Sequence, residues 1–509
     1  MFQPRSVSFP LAATIFVATL FLPFLHFLAA GRANGQERRG STMIVGALVA
    51  NGTGAPLRKV NVRVRGDRVV EIGKFRAGRG EKEISADGLV LAPGFIDIHN
   101  HSTEGLATEP QAVSQVSQGI TTVVLGADGE SPWPIGEFLR ANQVAPGAVN
   151  LAVLVGHGTV RRQVMGDDYR RAARADEIAR MEALVKQGMQ EGAVGLSSGL
   201  EYDVGSYATT EEIVALARVA VRQGGFYMSH IRDEAERSFE ALREAIAIGE
   251  QARIGVQISH IKMGTVGVWG RAPEAVLLIE EARRRGVDVN ADCYPYEAWA
   301  STITVLVPNK RYDDPVSVER ALADVGGAAQ VTITRSAAHP DYEFRSLEEI
   351  ARGKGISPVA LFIEIVREGG ADVIGHSMKE EDIRTFYQQP WVMVASDGGI
   401  GLRHPRSAGT FPRVLGRFVR EQRWLAMPEA VRKMTSLPAK RLRLRDRGVI
   451  RLGMKADLVL LNPASVLDRS TFAEPGKLSV GIEKVFVNGE VVWDAGKPTG
   501  ALPGRVLRH

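Results

Sequence analysis

Pro93-Gly94-Phe95-Ile96-Asp97-Ile98-His99-Asn100-His101 is the stretch on which the reading of this 509-residue chain turns. A short apolar run, β-branched at Ile96 and Ile98, ends in two histidines spaced i, i+2. Such a run reads as a buried strand. In a strand that spacing sets both imidazoles on one face. Two imidazoles at the C-terminal end of a buried strand are placed to hold a divalent metal. Alone, the pair is equally consistent with ordinary strand-end histidines, so the question is what the other strands deliver.

Strand-like runs at 95–99, 121–126, 151–156, 193–197, 226–230, 255–260, 287–294 and 392–397 alternate with helical segments. One of these segments, residues 234–251, places apolar residues at Phe239, Leu242, Ala245, Ile246 and Ile248. This alternation predicts an α/β protein whose middle, residues 93–445, is a (β/α)8 TIM barrel. A doubly wound sheet is the competing architecture, but no Gly-rich phosphate loop follows the first strand. The seventh connection is long and carries helices of its own. An insertion at about residues 297–372 therefore reads as a lid or substrate-shaping element.

The two ends of the chain have a different texture. Val60-Asn61-Val62-Arg63-Val64-Arg65 alternates with period two, and Gly66-Asp67 marks a turn. Near the C-terminus, Asn488-Gly489 separates two further strand-like runs in the manner of a hairpin. Residues 42–92 and 446–509 together predict one small β-sandwich domain built from both ends.

Composition is ordinary for a globular protein, with 45% hydrophobic and 24% charged residues. The net charge of +5 comes largely from scattered arginines with no basic, aromatic-interleaved run, which argues against nucleic-acid binding. Arg5, an apolar stretch over residues 11–30 and small residues up to Gly35 read as a signal peptide or membrane anchor in residues 1–35. The expectation is an exported protein, periplasmic or secreted, touching a membrane only if that leader is retained. Cys293 is the single cysteine, so there is no internal disulfide and no multi-cysteine metal site. Any metal must rest on histidines and carboxylates.

In a barrel the active site lies at the C-terminal ends of the strands. Those ends carry His99 and His101, His230, His260 and Asp397. Only ten histidines exist, and four fall at three of these ends. That concentration predicts a metal centre suited to zinc, with one or two ions. Such a centre makes hydroxide available near neutral pH. Asp397 can ligate the metal or take the water's proton and pass it to a leaving amine. The chemistry expected is hydrolysis of an amide or related bond in a small molecule.

These residues resemble the amidohydrolase superfamily and, more narrowly, the D-aminoacylase (N-acyl-D-amino-acid deacylase) family. The resemblance runs from about residue 42 to the C-terminus. It rests on Gly156-His157-Gly158-Thr159-Val160-Arg161, Gly195-Leu196-Ser197-Ser198-Gly199-Leu200-Glu201-Tyr202 and Ser259-His260-Ile261-Lys262. Tyr294-Pro295-Tyr296, His404-Pro405-Arg406, Gly409-Thr410-Phe411-Pro412-Arg413 and Arg432-Lys433-Met434-Thr435-Ser436 extend it. It implies that His230 and His260 are the main zinc ligands and that His99 and His101 line a second metal position. Asp397 would be the catalytic acid/base. Tyr202, Lys262, Tyr296 and Arg406 would recognise the substrate's carboxylate or polarise its carbonyl.

The chain departs from that family in two places. Where the family has a metal-bridging cysteine in a Gly-x-Cys-Gly context, this sequence reads Gly126-Ala127-Asp128-Gly129. A carboxylate can bridge in its stead, and Glu201 is the expected bridge with Asp128 second. Ser102-Thr103 also follows His101 where acidic residues are usual. The primary expectation is hydrolysis of N-acyl-D-amino acids or D-residue peptides. A cyclic-amide hydrolase of the dihydroorotase or hydantoinase kind is the alternative. A non-catalytic binding protein is disfavoured by the intact ligand positions.

Overall fold

A computed structural model describes residues 40–78 and 80–508, so the leader expected in residues 1–35 lies outside the described residues. Among the described residues no helix is long and apolar enough to cross a membrane.

Parallel strands make up the middle of the chain. They are β1 (Phe95–Asp97), β2 (Ile120–Leu125), β3 in two pieces (Asn150–Val153 and Val155–Gly156) and β4 (Gly195–Gly199). β5 (Phe226–His230), β6 (Val256–Ile258), β7 (Val289–Cys293) and β8 (Val392–Val394) follow. Each pairs with its neighbours in chain order, for example Leu151 opposite Val123, Gly199 opposite His230 and Cys293 opposite Val394. Just past β1 and β8, Asn100 bridges Gly398 in parallel, and Asp397 N donates to His99 O at 3.0 Å. Asp97 fastens the same junction. Its carboxylate accepts from Ser396 N at 2.8 Å and from Asn100 Nδ2 at 2.8 Å.

The strands are buried along almost their whole length, as parallel strands covered on both faces are. Ile96, Val124, Leu154, Met228 and Met393 share one buried cluster. The glycine before β1 is needed for close approach. A Cβ at Gly94 would lie 2.2 Å from Thr121 Oγ1.

The ends of the chain form two sheets. One holds Ser41–Val45, Asn61–Arg65, Arg68–Gly73 and Lys82–Ser85. The other includes Val90–Pro93, Leu458–Leu461, Ile482–Val487 and Glu490–Asp494. Ile44, Val62, Leu91, Leu458 and Phe486 belong to one core drawn from both sheets. The expected hairpin turn is present, with Asn488 at φ +49° and Gly489 at φ +83°, the two positive φ values that Asn-Gly tolerates.

Between β7 and β8 an antiparallel sheet of Trp299–Thr302, Asp372–Gly375 and Val331–Arg335 has its own core, including Ile303, Val318, Ile333, Leu347 and Phe362.

Three of the regular strands stop before the residues that matter. β1, β6 and β8 end at Asp97, Ile258 and Val394, short of His99, His260 and Asp397. The backbone turns left-handed at His260 (φ +33°) and Asp397 (φ +48°), and at Asp128 (φ +55°) after β2. Such conformations cost non-glycine residues about 1–3 kcal/mol each and gather at functional sites.

Candidate metal centre

His99 Nε2 lies 3.2 Å from His101 Nε2, 3.2 Å from Asp128 Oδ2 and 3.3 Å from Asp397 Oδ1. His101 Nε2 lies 3.4 Å from Asp128 Oδ2 and 3.0 Å from Asp397 Oδ1. A tetrahedral ion with arms of about 2.0 Å has ligand–ligand edges of about 3.3 Å, and these separations match it. Asp128 Oδ1 is buried without a hydrogen-bond partner.

A second group adjoins the first. His230 Nδ1 faces His260 Nε2 at 2.8 Å. Two imidazole nitrogens at that distance must share a proton or a cation. Asp128 Oδ2 lies 3.8 Å from His260 Nε2, so one carboxylate reaches both groups.

The outward nitrogens meet carboxylates as well. His230 Nε2 lies 2.8 Å from Glu201 Oε2, and His260 Nδ1 lies 3.1 Å from Glu234 Oε1. His99 Nδ1 stands 3.4 Å from Asp292 Oδ1. Acids behind metal-facing histidines orient the rings and raise their basicity.

Electrostatics point the same way. Burial alone would raise the Asp128 carboxyl, but His99, His101 and His260 hold it well below the carboxylate range. Asp397, despite its burial, is likewise held low by Arg406, His99 and His260. Burial would lower His99 and His260, yet the surrounding carboxylates raise both, His260 to about 9. The cluster demands positive charge. A divalent cation meets that demand and lets the imidazoles act as neutral ligands. The nitrogen and oxygen donors, their spacing and the orphaned Asp128 oxygen all fit such an ion.

The donors open on a cavity of about 1080 Å³, lined by His101, Asp128, His260, Lys262, Tyr294 and Arg406 and by insertion residues such as Val305 and Leu306. Arg406 is 3% exposed, and its Nη1 lies 2.6 Å from Asp397 Oδ2. Its Nε makes no hydrogen bond within the protein. The guanidinium stacks on Tyr294, 4.9 Å from the ring centre. Lys262 Nζ donates to both Glu234 oxygens, at 2.5 and 2.6 Å. Burial, reinforced by Asp128 and Asp397, keeps the Tyr202 phenol protonated. Its ring lies 4.4 Å from that of His230.

Two sequence-based expectations are corrected. Glu201 was expected ahead of Asp128 as the shared ligand, and the geometry reverses the order. Asp128 reaches the nitrogens of His99, His101 and His260, whereas the Glu201 carboxylate reaches only His230 Nε2 and, at 3.4 Å, Glu234 N. Tyr296 does not line the cavity. Its hydroxyl donates to Pro405 O at 3.3 Å and to Asp468 Oδ2 at 3.4 Å, and Tyr294 takes the wall position. His99, His101, His230, His260, Asp397, Tyr202, Lys262 and Arg406 all come together as expected. Glu234 and Asp292 were missed. The only signal for Glu234 is its place four residues after His230.

The Gly156–Arg161 segment serves structure. His157 Nε2 and Arg161 Nη1 converge on Glu212 Oε1, at 2.8 and 2.6 Å, away from the cavity lining. Cys293 is buried, and burial pushes its thiol up, so it packs and does not ligate.

A sequence profile described as the Amidohydrolase family matches residues 82–493. The chain is 38% identical over 492 residues to an N-acyl-D-aspartate deacylase of Alcaligenes xylosoxydans xylosoxydans, covering 91% of this chain and 94% of that protein. It is 36% identical over 490 residues to a D-aminoacylase of the same organism, covering 91% and 97%. Among solved structures, it matches an N-acyl-D-glutamate deacylase from Bordetella bronchiseptica with a TM-score of 0.84 at 34% identity, over 92% of this chain and 99% of that one. That deacylase is complexed with zinc and a phosphonate inhibitor that mimics the tetrahedral intermediate of its reaction.

Proposed function

The chain belongs to the amidohydrolase family, and we propose that it is a zinc-dependent hydrolase of the amide bond in N-acyl-D-amino acids. The observation that carries this reading is the pair of adjoining donor groups, joined by Asp128, beside a buried arginine with an unused donor. The deacylase activity of the relatives supports it. We also read the paired strands as a closed (β/α)8 barrel, supported by the Asn100–Gly398 bridge. The end sheets are read as a β-sandwich, supported by their shared core. An exported location is proposed on the sequence of residues 1–35, where Arg5 and the apolar stretch over residues 11–30 read as a leader.

His230, His260 and Asp128 would hold one zinc ion. His99, His101 and Asp397, with Asp128 shared, would hold a second. A bound ion supplies a Lewis acid that brings the pKa of water to around 7.

The protein's own groups do the rest. Asp397 is fixed at both oxygens, Oδ1 among the imidazoles and Oδ2 against Arg406. So placed, it takes a proton from the attacking water and returns it to the leaving nitrogen. Arg406, whose Nε has no partner within the protein, offers that donor to the substrate's carboxylate. Lys262 and Tyr202 donate to the carbonyl oxygen as charge builds on it. Val305, Leu306 and Val307 of the insertion give the cavity an apolar side next to these groups.

The test is a panel of N-acetyl-D- and N-acetyl-L-amino acids, neutral and acidic, with purified protein before and after chelation. Free D-amino acid should appear, cease on chelation and return with zinc. No hydrolysis across the panel with zinc supplied would overturn the reading.

A further inference from the structure

We propose that Lys310 is a specificity-determining residue for the acyl half of the substrate, and that the favoured acyl group ends in a carboxylate. The proposal rests on the reading of the site as an N-acyl-D-amino-acid deacylase and names the acyl group that such a site would select.

The cations that line the cavity are not equivalent. Lys262 pairs with Glu234, Arg335 with Asp372, Arg403 with Glu343 and Arg406 with Asp397. Lys310 forms no ion pair among the described residues. Its Nζ donates to a carbonyl, Glu201 O at 3.3 Å, and stands 5.9 Å from the centre of the Tyr207 ring. The nearby Asp203 is engaged elsewhere, its Oδ2 accepting from Tyr169 and from Arg170 Nη2, the latter at 3.2 Å. Lys310 is half-buried, and burial holds its pKa below the usual lysine value, with Asp203 and Glu201 only partly opposing this. An ammonium so placed has donors to spare and gains from an anion that arrives with the ligand.

Position assigns that anion to the acyl group. Glu201 follows β4, whereas Arg406 lies against Asp397, after β8. In an eight-stranded barrel closed as proposed, β4 and β8 stand opposite each other across the mouth. His99, Asp128, His230 and His260 belong to β1, β2, β5 and β6, between those two. A substrate with its α-carboxylate at Arg406 and its scissile carbonyl among these donors therefore extends its acyl chain toward Lys310. The side chain of the D-residue branches on the Arg406 side of that carbonyl. Leu306, Val307 and Pro308 line the cavity just before Lys310 and give the acyl methylenes an apolar side.

The zinc-loaded protein is assayed on N-succinyl- and N-glutaryl-D-leucine against N-pentanoyl-D-leucine, which is of similar length and carries no acyl charge. N-acetyl-D-glutamate, beside N-acetyl-D-leucine, places the second carboxylate on the D-residue instead. Wild type should favour a dicarboxylic acyl group over pentanoyl by about tenfold or more in kcat/KM. Lys310→Met should lower kcat/KM for that substrate at least tenfold more than for the pentanoyl one, chiefly through KM. Lys310 is left-handed at φ +59°, a conformation that asparagine tolerates. Lys310→Asn therefore carries the same comparison if circular dichroism shows that Lys310→Met does not fold.

No preference for an anionic acyl group in wild type, or a preference that survives the loss of Lys310, would overturn the proposal. So would a loss confined to N-acetyl-D-glutamate, which would put the anion on the side chain of the D-residue. Failure of wild type to hydrolyse any member of the panel would instead overturn the reading of the site on which the proposal rests.

Discussion

Asp128 Oδ2 stands 3.2 Å from His99 Nε2, on a residue whose backbone is left-handed at φ +55°. Aspartate tolerates that conformation better than most side chains. The turn aims the carboxylate at the imidazoles of His99 and His101. Asp128→Asn keeps the shape and the turn but removes the charge. It should lower zinc affinity at least tenfold and kcat/KM by two orders of magnitude or more. Asp128→Cys should retain zinc and shift metal preference toward softer ions. Metal analysis after dialysis, alongside activity, checks both. An unchanged zinc content in Asp128→Asn would remove Asp128 from the ligand set.

Glu201 behaves differently if it stands behind His230 and does not bridge. Glu201→Gln should weaken zinc about 10–100-fold without deleting one equivalent at saturating metal. Complete loss of an equivalent would restore Glu201 as a ligand.

Arg406 joins Asp397 to the substrate pocket. Arg406→Lys cannot reproduce a planar fork. It should raise KM for N-acyl-amino acids by one to two orders of magnitude and also depress kcat, because Asp397 Oδ2 loses its 2.6 Å partner. A substrate whose carboxylate is replaced by an amide should be far less sensitive to the variant. Equal sensitivity would argue against a carboxylate clamp.

Lys433 gives a pH signature in stability. Its Nζ donates to Val392 O at 3.0 Å, and burial lowers its pKa to about 7. The unfolded side chain titrates near about 10.4. Between those values the unfolded chain binds a proton that the folded chain has released, so this group makes stability rise with pH. Its burial costs most below pH 7 and nothing above the unfolded value. Lys433→Met should flatten the rise in urea-unfolding free energy between pH 7 and 9. Parallel wild-type and variant curves would contradict this.

Glu212 holds Arg161 and His157 together in the interior, each side chain essentially inaccessible. Removing its charge leaves a buried guanidinium unpaired, which costs about 3–5 kcal/mol. Glu212→Gln should show that loss in equilibrium unfolding while zinc affinity in the folded protein stays unchanged. A loss below about 1 kcal/mol would mean that Arg161 finds another partner.

The positions of the strands and the identity of most residues of the candidate site could be read from the chain. Apolar runs of fixed length declare buried strands, and histidines at their ends declare themselves by position. His99, His101, His230, His260 and Asp397 are therefore visible one strand at a time. Tyr294 and Tyr296, two residues apart, would share a face in an extended run, and they part only because β7 ends at Cys293 and the chain leaves the strand there.

The pairing of carboxylates with nitrogens was decided only by the tertiary structure. Asp128, Glu201, Glu234 and Asp292 lie on different strands and connections, and nothing local ranks them. The left-handed turns at Asp128, His260 and Asp397 and the register of Gly199 against His230 settle which oxygen meets which ring. Residue chemistry along the chain fixes what a strand end can offer. Only backbone direction in three dimensions fixes what it touches, because a hydrogen bond or a metal bond is formed within about 3 Å or not at all.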